Sequence, residues 1–149
     1  MIQMKIWVDA DACPKTIKEI LFRAAIRTET KLILVSNHAL STPSSSFISK
    51  IQVIAGFDVA DNKIIQNLEL GDLVITADIP LADAVINKAG IALNPRGELY
   101  SKENIKERLS LRNFSADLRS SGVQTGGPST LSKNEIQRFA NALNFILSK

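Results

Sequence analysis

The sequence predicts an α/β fold, a three-layer sandwich with a mostly parallel central sheet. Three observations carry that expectation. Apolar runs such as Lys31–Ser36 (KLILVS) and Leu73–Ala77 (LVITA) are continuous rather than alternating with polar residues, as strands covered on both faces require. Segments with apolar residues at helical spacing separate these runs. Helix-start chemistry follows two of them closely, Pro14 after the first and Pro80 after the fourth. Strands alternating with helices in this way indicate parallel strands joined by crossovers.

The first strand is Lys5–Asp9, a β-rich run ending on a carboxylate. Pro14 suits the first turn of a helix, with Asp11 or Cys13 near its cap, and Ile17, Ile20, Leu21, Ala24 and Ala25 repeat at helical spacing to about Arg27. After the second strand, Lys31–Ser36, the Ser-, Thr- and Pro-rich stretch Asn37–Ser46 reads as an exposed loop. Ile51–Ala55 is expected to be a strand, and Asp58–Leu68 a helix with Val59, Ile64 and Leu68 inward. Gly71 and Asp72 open the strand Leu73–Ala77, and a helix with Pro80 in its first turn runs to about Lys88. Gly90 ends that helix, and Ile91–Leu93 is the last core strand. Asn94-Pro95-Arg96-Gly97 has the residue order of a type I turn. A helix over about Lys102–Arg112, an irregular segment Asn113–Ser129 and a final helix follow. That last helix opens with a Ser132/Glu135 capping box and has Ile136, Phe139, Ala140, Leu143 and Ile146 on one face. With no repeat or linker in view, residues 1–149 are expected to form one domain.

Composition removes several chemistries. Cys13 is the only cysteine and His38 the only histidine, so an internal disulfide and a Cys/His zinc site are excluded. A Ser-His-Asp triad would need His38. Met1–Val8 is too short and too polar for a signal peptide, and no stretch has the apolar length of a membrane span, so a cytoplasmic protein without membrane association is expected. The net charge of +3 is unevenly spread. Residues 1–100 carry 10 Lys/Arg against 11 Asp/Glu, and residues 101–149 carry 8 against 4. The mild basic surplus therefore lies downstream, and the acids of interest upstream.

Those acids are Asp9, Asp11, Asp58, Asp61 and Asp78. In open α/β sheets, ligands bind beyond the carboxyl ends of the strands, where Asp9 and Asp78 stand. Asp11 lies two residues beyond Asp9, and Asp58 and Asp61, three apart at a helix start, can face one direction. Clustered carboxylates repel one another unless a cation sits among them, and oxygen donors without His or Cys suit Mg²⁺ or Mn²⁺. Capping alone would equally account for Asp11, Asp58 or Asp78, since Asp at a helix N-terminus opposes the dipole. Asp9 has no such duty. Asp72 and Asp83 read as ordinary surface or loop residues, with Asp83 one turn past Asp78 as an outer-shell contact at most.

Arg96, Arg112 and Arg119 with the Thr125-Gly126-Gly127-Pro128 segment form a second constellation. Guanidinium forks grip phosphate, and a Gly-Gly pair lets backbone N–H groups approach an anion. A plain turn before Pro128 is the simpler account of the glycines. Cys13, beside a helix start, is either a thiol of lowered pKa or a small buried residue, the latter being the commoner case. His38 is expected in solvent at the rim, and Ser41–Ser46 as a flexible connection or a cover over the site.

At these residues the chain resembles the uncharacterised bacterial YaiI/YqxD family, grouped with PIN-like metal-dependent nucleases. The matching runs are Trp7-Val8-Asp9-Ala10-Asp11-Ala12-Cys13-Pro14, residues 71–82 (GDLVITADIPLA), Asn94-Pro95-Arg96-Gly97 and Thr125-Gly126-Gly127-Pro128. The PIN-like resemblance implies an Asp ending the first strand, acids on a central helix and an Asp ending a later strand, places filled by Asp9, Asp61 and Asp78. It implies Mg²⁺ or Mn²⁺ as cofactor and phosphodiester hydrolysis, with RNA the expected partner ahead of DNA. Many PIN domains use Glu on the central helix, where this chain has Asp58 and Asp61. Two other readings stand beside the nuclease. One is a haloacid-dehalogenase-like phosphohydrolase with Asp9 as nucleophile and Asp11 as acid/base, although Cys13 occupies a place where that pattern expects Thr or Val. The other is a non-catalytic nucleic-acid- or partner-binding protein with a degenerate acidic pocket. The sequence leaves oligomeric state open.

Overall fold

Five short segments pair side by side: β1 (Lys5–Asp9), β2 (Lys31–Ser36), β3 (Ile48–Gln52), β4 (Leu73–Ile75) and β5 (Ile91–Leu93). The computed structural model describes residues 4–56, 58–110 and 131–148. All pairings are parallel and the order is β3-β2-β1-β4-β5. The helices are α1 (Lys15–Thr28), α2 (Val59–Asn67), α3 (Ile79–Asn87), α4 (102–110) and α5 (Lys133–Leu147).

Side-chain alternation splits the core into two layers, because successive strand residues point to opposite faces. Ile6, Val8, Leu32 and Leu34 meet Ile17 and Leu21 of α1 and Phe139, Leu143 and Ile146 of α5. Trp7, Ile33, Val35 and Val74 meet Ile64 of α2, Leu81 and Val85 of α3 and Ile105 of α4. The result is the three-layer α/β sandwich that the continuous apolar strands predict. Asp9 shares the parity of Trp7, so its carboxylate belongs to the α2/α3 face.

Boundaries differ where tertiary pairing overrides local pattern. The third strand is Ile48–Gln52 rather than Ile51–Ala55: its register is set by Leu32 pairing with Ile48, and Ile54 is 79% exposed. An edge strand needs no unbroken apolar run. Ahead of α1, Ala10–Ala12 form a 3-10 turn and Pro14 is the N-cap, so neither Asp11 nor Cys13 caps that helix. The β4 ladder stops at Ile75, and the Thr76 hydroxyl accepts the Asp78 N–H at 2.9 Å, turning the chain toward α3. The expected irregular segment Asn113–Ser129 lies outside the described residues.

Asp72 is a correction to the sequence reading. It is fully buried. Its Oδ1 accepts the Lys5 N–H at 3.1 Å, and its Oδ2 accepts the Trp7 indole N–H at 3.1 Å and the Glu69 N–H at 3.0 Å. The Lys5 ammonium lies 3.8 Å away and also pairs with Glu69. A buried carboxylate survives when donors and a cation converge on it, and here they join the amino ends of β1 and β4.

The capping box of α5 forms as predicted, with Glu135 N–H donating to Ser132 Oγ and Ser132 N–H to Glu135 Oε1. The turn at Asn94–Gly97 also forms, closed by a 2.9 Å bond from Gly97 N–H to the Asn94 carbonyl. Gly97 has φ 93°, and a Cβ there would stand 2.7 Å from backbone atoms of Arg138 and Phe139. Glycine is thus needed twice at this position, for the left-handed backbone and for close approach to α5.

Candidate acidic site

The strand order places a crevice between β1 and β4. The chain leaves β1 toward β2 on one side and leaves β4 toward β5 on the other, so their carboxyl ends form a topological switch point. Asp9 closes β1, and Thr76 and Asp78 follow β4, so this crevice is lined by carboxylates. Asp9 is 8% exposed, and its Oδ2 accepts the Thr76 hydroxyl at 3.2 Å. Burial raises the Asp9 pKa above the usual carboxylate range; the Thr76 bond opposes that rise, and the charges of Asp78 and Asp11 reinforce it.

Asp78 is the side-chain N-cap of α3, accepting the Leu81 N–H at 3.1 Å. Capping and membership of the cluster are compatible, because the cap bond uses Oδ1 alone. Asp61 enters from the first turn of α2. Its carboxyl is pushed up to about 7, first by burial, then by the charges of Asp78 and Asp9, the proton it would share with Asp78, and the charge of Asp58. Every one of these causes is desolvation or another carboxylate, and no cation among the described residues is one of them. Asp58 precedes α2 in the left-handed conformation, φ 62°, and makes no side-chain cap bond, so its part in the cluster is electrostatic.

Asp11 sits at the edge of this group with both oxygens engaged. Oδ2 accepts the Asn37 N–H at 2.8 Å, and Oδ1 lies 3.0 Å from His38 Nδ1. His38 is exposed, as expected at the rim, but it has Asp11 as a partner, which the sequence did not show. Cys13 is buried and its thiol is pushed up to about 12 by burial, which makes it a packing residue rather than a nucleophile.

Thr76 and Asn37 are the site residues that sequence reasoning missed. Thr76 is buried and its hydroxyl ties Asp9 to the Asp78 backbone in one relay. Its signal was available as a lone hydroxyl directly after the apolar run LVI. Asn37 follows β2, the neighbour of β1, and its Oδ1 is a buried acceptor without a donor among the described residues. Such an orphan acceptor calls for a water or a cation.

The cluster suits a hard cation in its chemistry, being built of oxygen donors. Among the described residues, however, no group of three or more His, Cys, Asp or Glu side chains is already arranged to hold a metal ion. Asp83 lines a separate cleft of about 440 Å³ with Lys102, Glu103 and Lys106. Arg96 donates from Nη1 to Glu135 Oε1 at 2.7 Å, linking the 94–97 turn to the start of α5. Arg112, Arg119, Thr125, Gly126 and Gly127 lie outside the described residues. Among the described residues no helix is long and apolar enough to cross a membrane.

Comparison with known proteins agrees with the first resemblance. The chain is 61% identical over 141 residues to a UPF0178 protein of Pectobacterium atrosepticum, covering 95% of this chain and 94% of that one. It is 60% identical over 146 residues to the UPF0178 protein of Colwellia psychrerythraea, covering 98% and 97%. Against the UPF0178 protein of Hahella chejuensis the identity is 61% over 146 residues, covering 98% and 97%. No solved structure matches the chain. The family model described as "Uncharacterized BCR, YaiI/YqxD family" matches residues 7–149, from the middle of β1 onward, and the chain accordingly belongs to the YaiI/YqxD family.

Proposed function

We propose that the chain is a divalent-metal-dependent phosphodiesterase acting on nucleic acid, with Asp9, Asp61 and Asp78 at its centre. The observation that carries this reading is the gathering of Asp9, Asp61 and Asp78 at the switch-point crevice, where burial first and then the neighbouring carboxylates raise Asp61 to about 7. Natural cores compensate buried charge, as this chain does at Asp72, so an uncompensated group invites a cation from outside. Mg²⁺ keeps several waters and is commonly held by one or two carboxylates plus substrate phosphate, so it does not require a cage of three carboxylates. When bound, Mg²⁺ or Mn²⁺ would polarise the phosphodiester and acidify an attacking water.

The chain's own groups would supply position. The Thr76 hydroxyl donates to Asp9, and the α3 cap orients Asp78, so both carboxylates are positioned by hydrogen bonds from the scaffold. Asp61 approaches from α2, with Asp58 and Asp11 adding negative field. Arg112, Arg119 and the Thr125-Gly126-Gly127 segment are proposed to hold the phosphate backbone, together with Arg96 if its guanidinium exchanges Glu135 for phosphate. RNA is preferred to DNA on the PIN-like resemblance alone.

The test is Mn²⁺ titration calorimetry on wild type and on Asp9→Asn, Asp61→Asn and Asp78→Asn, followed by cleavage assays on mixed RNA and DNA oligonucleotides. Wild type is expected to bind, and each substitution to weaken binding by at least about 10–100-fold, the cost known even for outer-shell changes. Binding that is unchanged in all three variants, or no cleavage with either metal, would overturn the proposal. Trapping an aspartyl-phosphate at Asp9 would instead favour the phosphohydrolase. Salt-sensitive RNA binding without cleavage would favour a binding protein.

A further inference from the structure

We propose that the cleft between α1 and the β2–β3 connection binds one nucleotide of a single strand, its phosphate on Lys15 and Lys18 and its base against Phe22. The cleft has a volume of about 620 Å³ and is walled by Lys15, Lys18, Glu19 and Phe22 of α1 and by Ser41 and Thr42 of the connection. That volume falls in the range of roughly 300–1,000 Å³ in which small-molecule sites occur. Its lining is mixed in the way a nucleotide requires: ammonium groups and hydroxyls for a phosphate, and an apolar wall for a base. Phe22 packs against the core on one side, so its ring is held in place before any ligand arrives.

Charge distinguishes this cleft from two others among the described residues. Neither Lys15 nor Lys18 takes an ion pair among the described residues, and with Glu19 on the rim the lining keeps a surplus of one positive charge. In the 440 Å³ cleft, Lys102 and Lys106 face Asp83 and Glu103, and the charges cancel. In a smaller cleft of about 210 Å³, the Lys50 ammonium is already taken by the Leu40 carbonyl.

Position supports a strand path. Lys15 opens α1 just after the turn that carries Asp11, so the cleft starts at the same sheet end as the acidic crevice. It lies on the α1 face, however, whereas Asp9 belongs to the α2/α3 face. A strand leaving the crevice would cross the rim at Asp11 and His38, then drop beside the 37–47 connection. The choice of nucleic acid as ligand rests on the proposed function above; the cleft's charge and shape do not.

The experiment is fluorescence anisotropy with a 5′-fluorescein-labelled eight-nucleotide oligouridylate in EDTA, over a range of salt. Wild type, the Lys15→Gln/Lys18→Gln pair, Phe22→Leu and a Lys102→Gln/Lys106→Gln control are compared. The Lys15/Lys18 pair should lose about tenfold in affinity, and its log–log salt slope should fall by about 0.7, the value for one single-strand phosphate contact. Phe22→Leu should lose about fivefold or more with the salt slope unchanged, as removal of stacking requires. No binding by wild type, or equal losses from both lysine pairs, would overturn the proposal. The metal-free assay keeps the two readings separable. A protein that binds through this cleft yet never cleaves retains the cleft and loses the catalytic function, and one that cleaves but binds normally without Lys15 and Lys18 does the reverse.

Discussion

The two ends of the β1/β4 pair treat their carboxylates in opposite ways. At the amino end, Asp72 has three N–H donors and the Lys5 ammonium around one side chain. At the carboxyl end, Asp9 has the Thr76 hydroxyl, Asp78 a single cap bond, and Asp61 chiefly other acids. The same residue type is a structural rivet in one place and a source of repulsion in the other. What differs is the company of donors, which decides whether a buried charge stabilises the fold or awaits a ligand.

The sharpest way to break that contrast is Asp72→Ala. It strands two backbone N–H groups and the Trp7 indole, leaves the Lys5 ammonium to Glu69 alone, and should cost roughly 3 kcal/mol or more in urea unfolding, since each buried donor left unpaired costs about 1–3 kcal/mol. A loss under about 1 kcal/mol would show that Asp72 is not the rivet described.

Asp61→Asn should act with the opposite sign. In EDTA at pH 8 it should stabilise the protein by about 1 kcal/mol, a figure reduced for the partial exposure of the side chain. The pH dependence follows from linkage. The Asp61 carboxyl holds its proton more tightly when folded, so its contribution is fully present below about pH 4 and is lost as pH rises through about 7. Wild type should therefore weaken relative to Asp61→Asn across that window. Parallel stability curves for the two proteins would remove the repulsion from the account.

A smaller effect is expected from Thr76→Val, which deletes the bond that holds the Asp9 pKa down. The Asp9 carboxyl should titrate at still higher pH, read by carboxyl-carbon NMR, and Mn²⁺ affinity should fall by about tenfold. Unchanged titration would assign Thr76 to the turn alone.

The smallest effect concerns a half-buried carboxylate. Hydrogen bonding to Arg96 and to the Ser132 backbone lowers Glu135 to about 2. Because this pKa is depressed, the contribution is present above about pH 4.5 and is lost as pH falls through about 2. The urea midpoints of wild type and Glu135→Gln should differ at pH 6 and converge toward pH 2.

Much of the fold was readable because it depends on local signals. Unbroken apolar runs marked β2 and β4, Pro80 and Ser132 marked helix starts, and Asp9 and Asp78 stood out at strand ends. What stayed hidden depends on partners distant in the chain. Asp72 looked like a turn residue because its donors at Lys5 and Trp7 lie more than sixty positions away. Arg96 read as a phosphate grip because nothing near it announces Glu135, 39 residues on. Asn37 was one polar residue in a polar loop, and only the folded chain shows its amide oxygen buried.

The docking of α5 has a consequence for how the protein is made. The side of the sheet bearing Ile6, Val8, Leu32 and Leu34 is covered jointly by α1 and α5, and Gly97 is fitted to the backbone of α5 itself. Translation delivers β1 to β5 before it delivers Phe139, Leu143 and Ile146. A ribosome-bound chain that has completed the sheet thus has only α1 on this face until α5 emerges, and the apolar surface left open in that interval is the kind that chaperones bind.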